Sequence, residues 1–193
     1  MKTNPIKTLL LTGVLITLLS FDIPDGWIVA GSQPKKYEMG IDKGKGQNGK
    51  NAATIKSVSK KIKGFGTLMQ YFLPEKYLGK RIRMSGYMKS KDVGDWAGLW
   101  IRVDQAGSEN PLSFDNMFER SVKGTSEWMK YDLVVDVPSN ASNIAFGALL
   151  SGTGQIWFDS FSFEIVDKTI PLTGTYRDFS FPLQEPANLS FED

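Results

Sequence analysis

Residues 147–163, GALLSGTGQIWFDSFSF, contain the sequence pattern that indicates the fold of the chain most clearly. An apolar run at 144–150 leads into Ser-Gly-Thr-Gly at 151–154, a turn able to supply positive φ, and residues 155–166 are rich in aromatic and β-branched side chains. This order predicts a β-hairpin whose second strand closes a sheet. By the period of two, one face of that strand carries the acidic residue Asp159 in an otherwise apolar row of Trp157, Phe161, Phe163 and Ile165.

Composition limits the chemistry that the chain can perform. The chain has 193 residues, 41% hydrophobic and 23% charged, which is typical of one globular domain with extensions. It contains no Cys and no His, which excludes thiol nucleophiles, imidazole bases, disulfides and zinc sites built from those residues. The net charge is only +2, with acidic residues between the basic clusters, so nucleic acid is not indicated as a partner.

Residues 1–20 have the pattern of an export signal. Lys2 and Lys7 precede an uncharged run at 8–19 that is rich in Leu, Val, Ile and Thr, as in a basic n-region followed by an apolar h-region. A run of about a dozen residues is too short for a stable membrane span, which needs about 20. We therefore predict a signal peptide and a secreted or cell-surface protein. The alternative is a buried strand or helix of the fold, because no small-x-small cleavage site is present.

After the leader, short alternating segments are separated by Gly, Pro, Asn and Lys, and no long helical period is present. Nine strands are predicted, at 27–30, 37–41, 53–58, 65–73, 81–89, 97–104, 130–137, 144–150 and 155–166. Many short strands with turn chemistry between them indicate an all-β fold. We expect a two-sheet antiparallel β-sandwich of the jelly-roll class over residues 21–167.

Residues 168–193 contain three prolines and show no alternation, which predicts a Pro-containing tail. Its Leu-Ser-Phe-Glu at 189–192 repeats Leu-Ser-Phe-Asp at 19–22. The tail is therefore a candidate to return and pair as an edge strand of the sheet. A chance match of four residues, or the start of a second repeat, is the alternative.

Four motifs follow one another within residues 22–167. They are Tyr77-x-Gly79-Lys80-x-x-Arg83-x-Ser85-Gly86-Tyr87-x-Lys89, Trp128-x-Lys130-Tyr131 before 134–138, Ile144-x-Phe146-Gly147, and Gly154-x-Ile156-Trp157-x-Asp159-x-Phe161-x-Phe163. In this order they resemble the galactose-binding-like jelly rolls, in particular carbohydrate-binding modules of secreted bacterial glycoside hydrolases. The resemblance implies two antiparallel sheets, a ligand-binding concave face or loop end, no catalysis and often a structural calcium ion.

The segment 96–104, WAGLWIRVD, carries the clearest functional signal. Ala97, Leu99, Ile101 and Val103 form one apolar face, and the other face presents Trp96, Gly98, Trp100, Arg102 and Asp104. Indole rings stack on the C–H surfaces of sugars, while Arg and Asp bond to hydroxyl groups, so this face is a candidate saccharide platform. Alternatively, a neighbouring loop covers both Trp residues, and Arg102 and Asp104 form a surface ion pair.

Neighbouring segments supply further candidates for the same surface. Arg83 and Tyr87 lie on the alternation opposite Ile82 and Met84, and Gln70 lies on one face with Leu68 and Phe72. Asn116 belongs to the segment 114–120, FDNMFER, in the long loop 107–125. That segment either rims a binding site or uses its two Phe residues to attach the loop to the core.

Asp22 and Asp159 are the candidate metal ligands. Carboxylate oxygens suit calcium, and the resemblance implies an ion near the first and last strands; Asp42 is a further oxygen ligand of this kind. No other cofactor is indicated. For Asp159 the alternative is a buried carboxylate satisfied by backbone N–H groups.

Three functions remain after these exclusions. The first is a non-catalytic extracellular carbohydrate-binding domain whose partner is an oligo- or polysaccharide. The second is a ligand-sensing or protein-interaction domain of a regulatory or surface protein. The third is a carboxylate-dependent hydrolase, for which Asp92 with Asp95, or Asp115 with Glu119, would have to face one cleft. We expect no enzyme activity, because paired carboxylates are common in any sequence.

Overall fold

A computed structural model describes residues 21–174 of the chain. They contain the strands β1 (Ile28–Ala30), β2 (Tyr37–Asp42), β3 (Ala52–Ser57), β4 (Phe65–Phe72), β5 (Lys80–Asp104), β6 (Ser113–Asp115), β7 (Val122–Val137), β8 (Asn143–Ser151) and β9 (Gln155–Val166). Four 3-10 helices lie at Pro34–Lys36, Gln47–Gly49, Glu75–Tyr77 and Phe118–Arg120. The predicted signal peptide and the repeat at 189–192 lie outside the described residues. In this part of the chain, no helix is long and apolar enough to cross a membrane.

All strand pairs are antiparallel, and β5 belongs to two layers. The C-terminal half of β5 pairs with β8 on one side and β6 on the other, and β8 continues to β4 and β1. The N-terminal half pairs with β7 and β9, and β9 continues to β3 and β2. The predicted two-sheet antiparallel β-sandwich of the jelly-roll class is therefore confirmed.

The 25-residue strand β5 spans the two strands that were predicted at 81–89 and 97–104. The residues between them contain two Asp and a Gly, which the sequence pattern marks as a turn. In the structure the strand continues, and its pairing with β7 shifts register three times between Met88 and Ala97. Asp92 within this region has a φ of 52°. Bulges of this kind bend a strand and increase its twist, which allows β5 to pass from one layer to the other.

The core lies between the two layers. Leu99, Ile101 and Val103 from the first layer are fully buried, as are Ile82 and Met84 from the second. The apolar face predicted for 97–103 is thus the core face. Burial of such side chains stabilises the fold by about 1.5 to 3 kcal/mol each.

The hairpin predicted at 147–163 is wrong in its pairing. β8 pairs with β4 and β5, while β9 pairs with β3 and β5. The turn between them supplies the expected positive φ, at Gly152 (73°) and Gly154 (122°), but it joins strands of different layers. β8 pairs with the C-terminal half of β5 in the first layer, and β9 pairs with the N-terminal half of β5 in the second layer.

The single apolar face predicted for β9 is also wrong. Phe158 is buried in the core, and after Ser160 the side chains of Phe161 and Phe163 pack against the same core. Ser160 has a φ of 56°, and the register with β5 shifts between Ser85 and Tyr87 opposite it. A bulge adds one residue and reverses the alternation. Trp157 and Asp159 therefore lie on the opposite face from Phe161 and Phe163.

Candidate functional site

A groove of about 450 Å³ lies on the outer face of the first layer. The register sets Met69, Gly147 and Trp100 side by side across β4, β8 and β5. In the next row Ala145 lies between two long side chains, those of Tyr71 and Arg102. In these two rows the small residues of β8 leave a depression between larger side chains, and in the row of Thr67 the β8 residue Leu149 lines the groove itself. Its lining comprises Ala30, Gly31, Phe65, Thr67, Met69, Trp96, Trp100, Arg102, Phe114, Asn116 and Leu149.

Two glycines give the groove its shape. A Cβ at Gly147 would lie 2.3 Å from the carbonyl oxygen of Leu68, so only glycine permits this approach of β8 and β4. A Cβ at Gly98 would lie 2.8 Å from the carbonyl oxygen of Asn116. The glycine between the two Trp residues therefore allows the loop at 116–117 to rest on β5.

Trp100 forms part of the groove wall. Its side chain packs with Ala145 and Leu149, and the residue is only 8% exposed. Its Nε1–H donates a buried hydrogen bond to Thr67 Oγ1 at 2.8 Å. The indole therefore contributes a lining surface, and its polar group is satisfied within the protein.

Trp96 is half-buried, and its ring meets the ring of Phe118 edge to face, with centroids 5.3 Å apart. Phe118 is itself 59% exposed, so this cover is thin. Trp100 is therefore covered as the alternative interpretation expects, but by residues of neighbouring strands rather than by a loop, whereas Trp96 stays partly accessible. Of the two rings, Trp96 is the more accessible to a ligand.

Arg102 reaches the groove with a fixed guanidinium. Its Nε donates to Asp104 Oδ1 at 2.6 Å, and one Nη donates to the carbonyl oxygen of Glu109 at 2.8 Å. The side chain is 38% exposed. Asp104 does not line the groove. It forms an ion pair with Arg102, as the alternative interpretation expects, and it acts on the site by orienting that guanidinium.

The loop that carries Asn116 forms the second wall. Met117, with a φ of 61°, buries its side chain completely in the core. Asn116 Oδ1 accepts a hydrogen bond from the backbone N–H of Phe118 at 3.1 Å. The loop is therefore attached to the core by Met117, whereas one of the two sequence interpretations assigns this role to the two Phe residues. Phe114 packs instead with Trp100 on the groove side.

Three predicted residues lie away from the groove. Arg83 and Tyr87 are on the N-terminal half of β5, which belongs to the second layer, and Arg83 pairs with Glu164 at 2.7 Å. Gln70 shares a face with the core residue Leu68, and its amide donates to the carbonyl oxygen of Gly26. The prediction that these three share a surface with Trp96 is wrong.

The sequence interpretation also missed part of the lining. Phe65, Thr67 and Met69 lie on the face of β4 opposite Leu68, and Phe114 lies on β6. The alternation in β4 was visible in the sequence. The sequence did not show that the face of β4 with Leu68 points to the core, which leaves the opposite face to line the groove.

The candidate metal ligands do not form a cluster. Among residues 21–174, no three Asp or Glu side chains are grouped so that they could hold a metal ion. Asp22 is exposed, and Asp159 Oδ1 accepts a hydrogen bond from the adjacent backbone N–H of Ser160 at 2.6 Å. Asp42 accepts a hydrogen bond from Trp157 Nε1 at 2.7 Å. The alternative interpretation of Asp159 is a buried carboxylate satisfied by backbone N–H groups. The backbone hydrogen bond is present, but the residue is half-buried rather than buried.

The carboxylates considered for hydrolysis have structural partners. Asp115 is 3% exposed and pairs with Arg120 through contacts of 2.6 and 3.1 Å. Asp95 accepts a hydrogen bond from Ser151 Oγ at 2.6 Å, and Asp92 accepts one from Thr125 at 3.3 Å. None of these three lines the groove.

Comparison with curated protein sequences identifies a relative that is named as a transcriptional regulator. No protein-family model matches the chain. A Bacillus subtilis (strain 168) protein named "Uncharacterized HTH-type transcriptional regulator YbfP" is 45% identical over 169 residues. The match covers 87% of this chain and 57% of that protein. The chain therefore spans little more than half the length of this relative.

Comparison with solved structures establishes the fold. The CBM22-1 xylan-binding domain from Paenibacillus barcinonensis Xyn10C superposes with a TM-score of 0.52 at 14% identity, over 76% of this chain and 90% of that domain. The enzymatically active domain of bacteriophage CBA120 tailspike protein 4 superposes with a TM-score of 0.56 at 11% identity, over 74% of this chain but 20% of that one. The chain thus has a galactose-binding-like jelly roll that resembles bacterial carbohydrate-binding modules.

Proposed function

We propose that the domain binds an oligo- or polysaccharide in the groove without catalysis. The observation that carries this proposal is that Trp96, Arg102 and Asn116 line one groove on the outer face of the first layer. Aromatic rings match the apolar faces of sugar rings, and guanidinium and amide groups bond to hydroxyls. An apolar groove with a few convergent polar groups is the usual form of a small-molecule site.

A glycan array tests this function without prior choice of the sugar. The domain should bind one chemical class of glycan, and an assay for reducing ends should detect no release of sugar from the glycans it binds. Binding to no glycan on a broad array would remove the proposal. Release of reducing sugar would support the hydrolase hypothesis instead.

A second function, sensing a ligand for a regulator, is favoured by the name of the relative that is 45% identical. The two functions use the same groove: a sensing domain would bind its saccharide there and pass the occupied state to other parts of a longer protein. The cellular location of the protein distinguishes an extracellular carbohydrate-binding domain from a ligand-sensing domain of a regulator. The proposal of a secreted or cell-surface protein depends on residues 1–20 acting as a leader, and it is tested by fractionating cells that express the full chain.

Calcium at Asp22 and Asp159 is proposed as a structural ion only. A ligand that binds the folded state alone raises the melting temperature by mass action. Melting curves recorded in calcium and in chelator test the site, and the array should be run in both conditions. Equal curves would leave Asp159 as a carboxylate that caps the bulge at Ser160.

A further inference from the structure

We propose that the segment after β9, residues 168–174, positions the Phe114–Asn116 wall of the groove through Thr173. The expected effect on ligand affinity rests on the proposed function of the groove, because a change in the wall alters affinity only if the groove binds a ligand. The contacts that support it link the segment to β7, to a buried carboxylate and then to two residues of the lining.

The path of the segment is fixed where it leaves β9. One Nη of Arg81 donates to the carbonyl oxygens of Lys168 at 2.6 Å and Ile170 at 2.7 Å. The other nitrogens of this guanidinium form a bidentate pair with Asp136 at 2.8 and 2.9 Å. An Arg held by a fork of this kind loses little further freedom when it binds the segment. The chain is therefore led along β7.

Thr173 then joins the segment to β7 and to the end of β6. Its backbone N–H donates to the carbonyl oxygen of Val134 at 3.1 Å, and its Oγ1 accepts a bond from the N–H of Val134 at 2.7 Å. The same hydroxyl donates to Asp115 Oδ2 at 2.5 Å. One side chain thus bonds to the edge of β7 and to the last residue of β6, which lies within the groove wall.

Asp115 is the centre of this network and is 3% exposed. It also accepts a hydrogen bond from the N–H of Met117 at 2.8 Å and the two bonds from Arg120. Arg120 donates in turn to the carbonyl oxygen of Thr173 at 3.1 Å. Because Asp115 lies between Phe114 and Asn116 in the chain, its position sets theirs.

Phe114 is shared by two cavities. It lines the groove on one side, and it lines a cavity of about 210 Å³ on the other, together with Leu172 and Gly174. A Cβ on Gly174 would lie 2.3 Å from the carbonyl oxygen of Phe114, so the segment lies directly against this strand. Displacing the segment therefore removes support from the wall that packs with Trp100.

The test compares Thr173→Val with Thr173→Ser in the full chain by ¹H–¹⁵N NMR of the indole groups. Val keeps the shape and removes the hydroxyl, whereas Ser keeps the hydroxyl. We expect Thr173→Val to shift the Trp96 and Trp100 signals and to leave Trp157, on the outer face of the second layer, in place. Thr173→Ser should resemble the parent. Unchanged Trp96 and Trp100 signals in Thr173→Val would overturn the inference.

Should Thr173→Val fail to fold, Thr173→Ala decides the question. Ala removes the same hydroxyl from Asp115 and leaves room for a water in its place, so the same two indole signals should move. A folded Thr173→Ala variant with unchanged Trp96 and Trp100 signals would contradict the inference.

A titration with xylohexaose separates failure of this inference from failure of the proposed function. We expect Thr173→Val to weaken binding by about tenfold, within the usual range of coupling between sites, and Thr173→Ser to bind as the parent does. Equal binding by Thr173→Val and the parent would overturn the coupling. If the parent does not bind this sugar, the titration is repeated with the glycan class that the array identifies, and binding to no glycan counts against the proposed function while the indole signals still decide the role of the segment.

Discussion

The indole Nε1–H of Trp100 donates to Thr67 Oγ1 at 2.8 Å, and the Thr67 hydroxyl donates to the carbonyl oxygen of Ala148 at 2.7 Å. These two bonds join β5, β4 and β8 beneath the groove. Both are buried, so neither group is available to a ligand unless the bonds break. Trp100 therefore shapes the groove, and the side chains that can contact a ligand directly lie around it.

Thr67→Val should destabilise the domain by about 1 to 3 kcal/mol, because it leaves a buried indole N–H without an acceptor. Val preserves the shape of Thr, so little of the loss comes from packing. Urea unfolding measures the change, and Thr67→Ser, which keeps the hydroxyl, serves as the control. A Thr67→Val variant as stable as the parent would show that the hydrogen bond contributes nothing.

Tyr37 should make stability fall at alkaline pH. Burial raises the pKa of Tyr37 to about 12 from 10.0, and its hydroxyl contacts the carbonyl oxygens of Gly152 at 2.9 Å and Gly64 at 3.1 Å. The unfolded chain loses this proton first, so the stabilisation is complete below pH 10 and is lost as pH rises through 12. Over that window the free energy of unfolding should fall by up to about 1.4 kcal/mol per pH unit.

Tyr37→Phe removes this ionisation. Its unfolding free energy should therefore decline less steeply than that of the parent between pH 10 and 12, measured by urea unfolding at a series of pH values. Parallel curves for the two proteins would show that Tyr37 does not cause the alkaline loss.

Asp104→Asn should lower saccharide affinity more than stability. The ion pair with Arg102 is partly exposed, and pairs of this kind contribute about 0 to 1 kcal/mol to folding. Its larger effect is to orient the guanidinium at the groove. Glu164→Gln, which breaks the pair with Arg83 in the other layer, should leave affinity unchanged. Equal losses of affinity in the two variants would remove the orienting role of Asp104.

The sequence predicts which residues share a strand face better than it predicts which surface that face belongs to. The alternation around Arg83 and Tyr87 is correct, and so is the one that sets Trp96 and Trp100 opposite Leu99. Both segments turned out to be parts of β5, but in different layers. The layer depends on pairing with β8 or β9, a long-range relation that alternation within one segment does not contain.

Irregular backbone limited the prediction further. The bulge at Ser160 reverses the alternation of β9, and nothing in Asp-Ser-Phe at 159–161 marks an extra residue. The polar residues at 90–95 similarly suggest a turn where β5 bends and continues. The two Trp residues and Arg102 were found because their strand is regular over its last nine residues, which pair with β8 without a register shift.

The central claim, that the groove of the first layer binds a saccharide, is tested most directly by one glycan array probed with the parent, Trp96→Ala and Trp128→Ala. Trp96 lines the groove, whereas Trp128 lies in the second layer beside Lys89, whose Nζ is 5.3 Å from its ring centroid. We predict that the parent binds one class of glycan and that Trp96→Ala loses about 1 to 3 kcal/mol of affinity, while Trp128→Ala binds as the parent does. No binding by the parent, or a loss in Trp128→Ala with Trp96→Ala unaffected, would contradict the account.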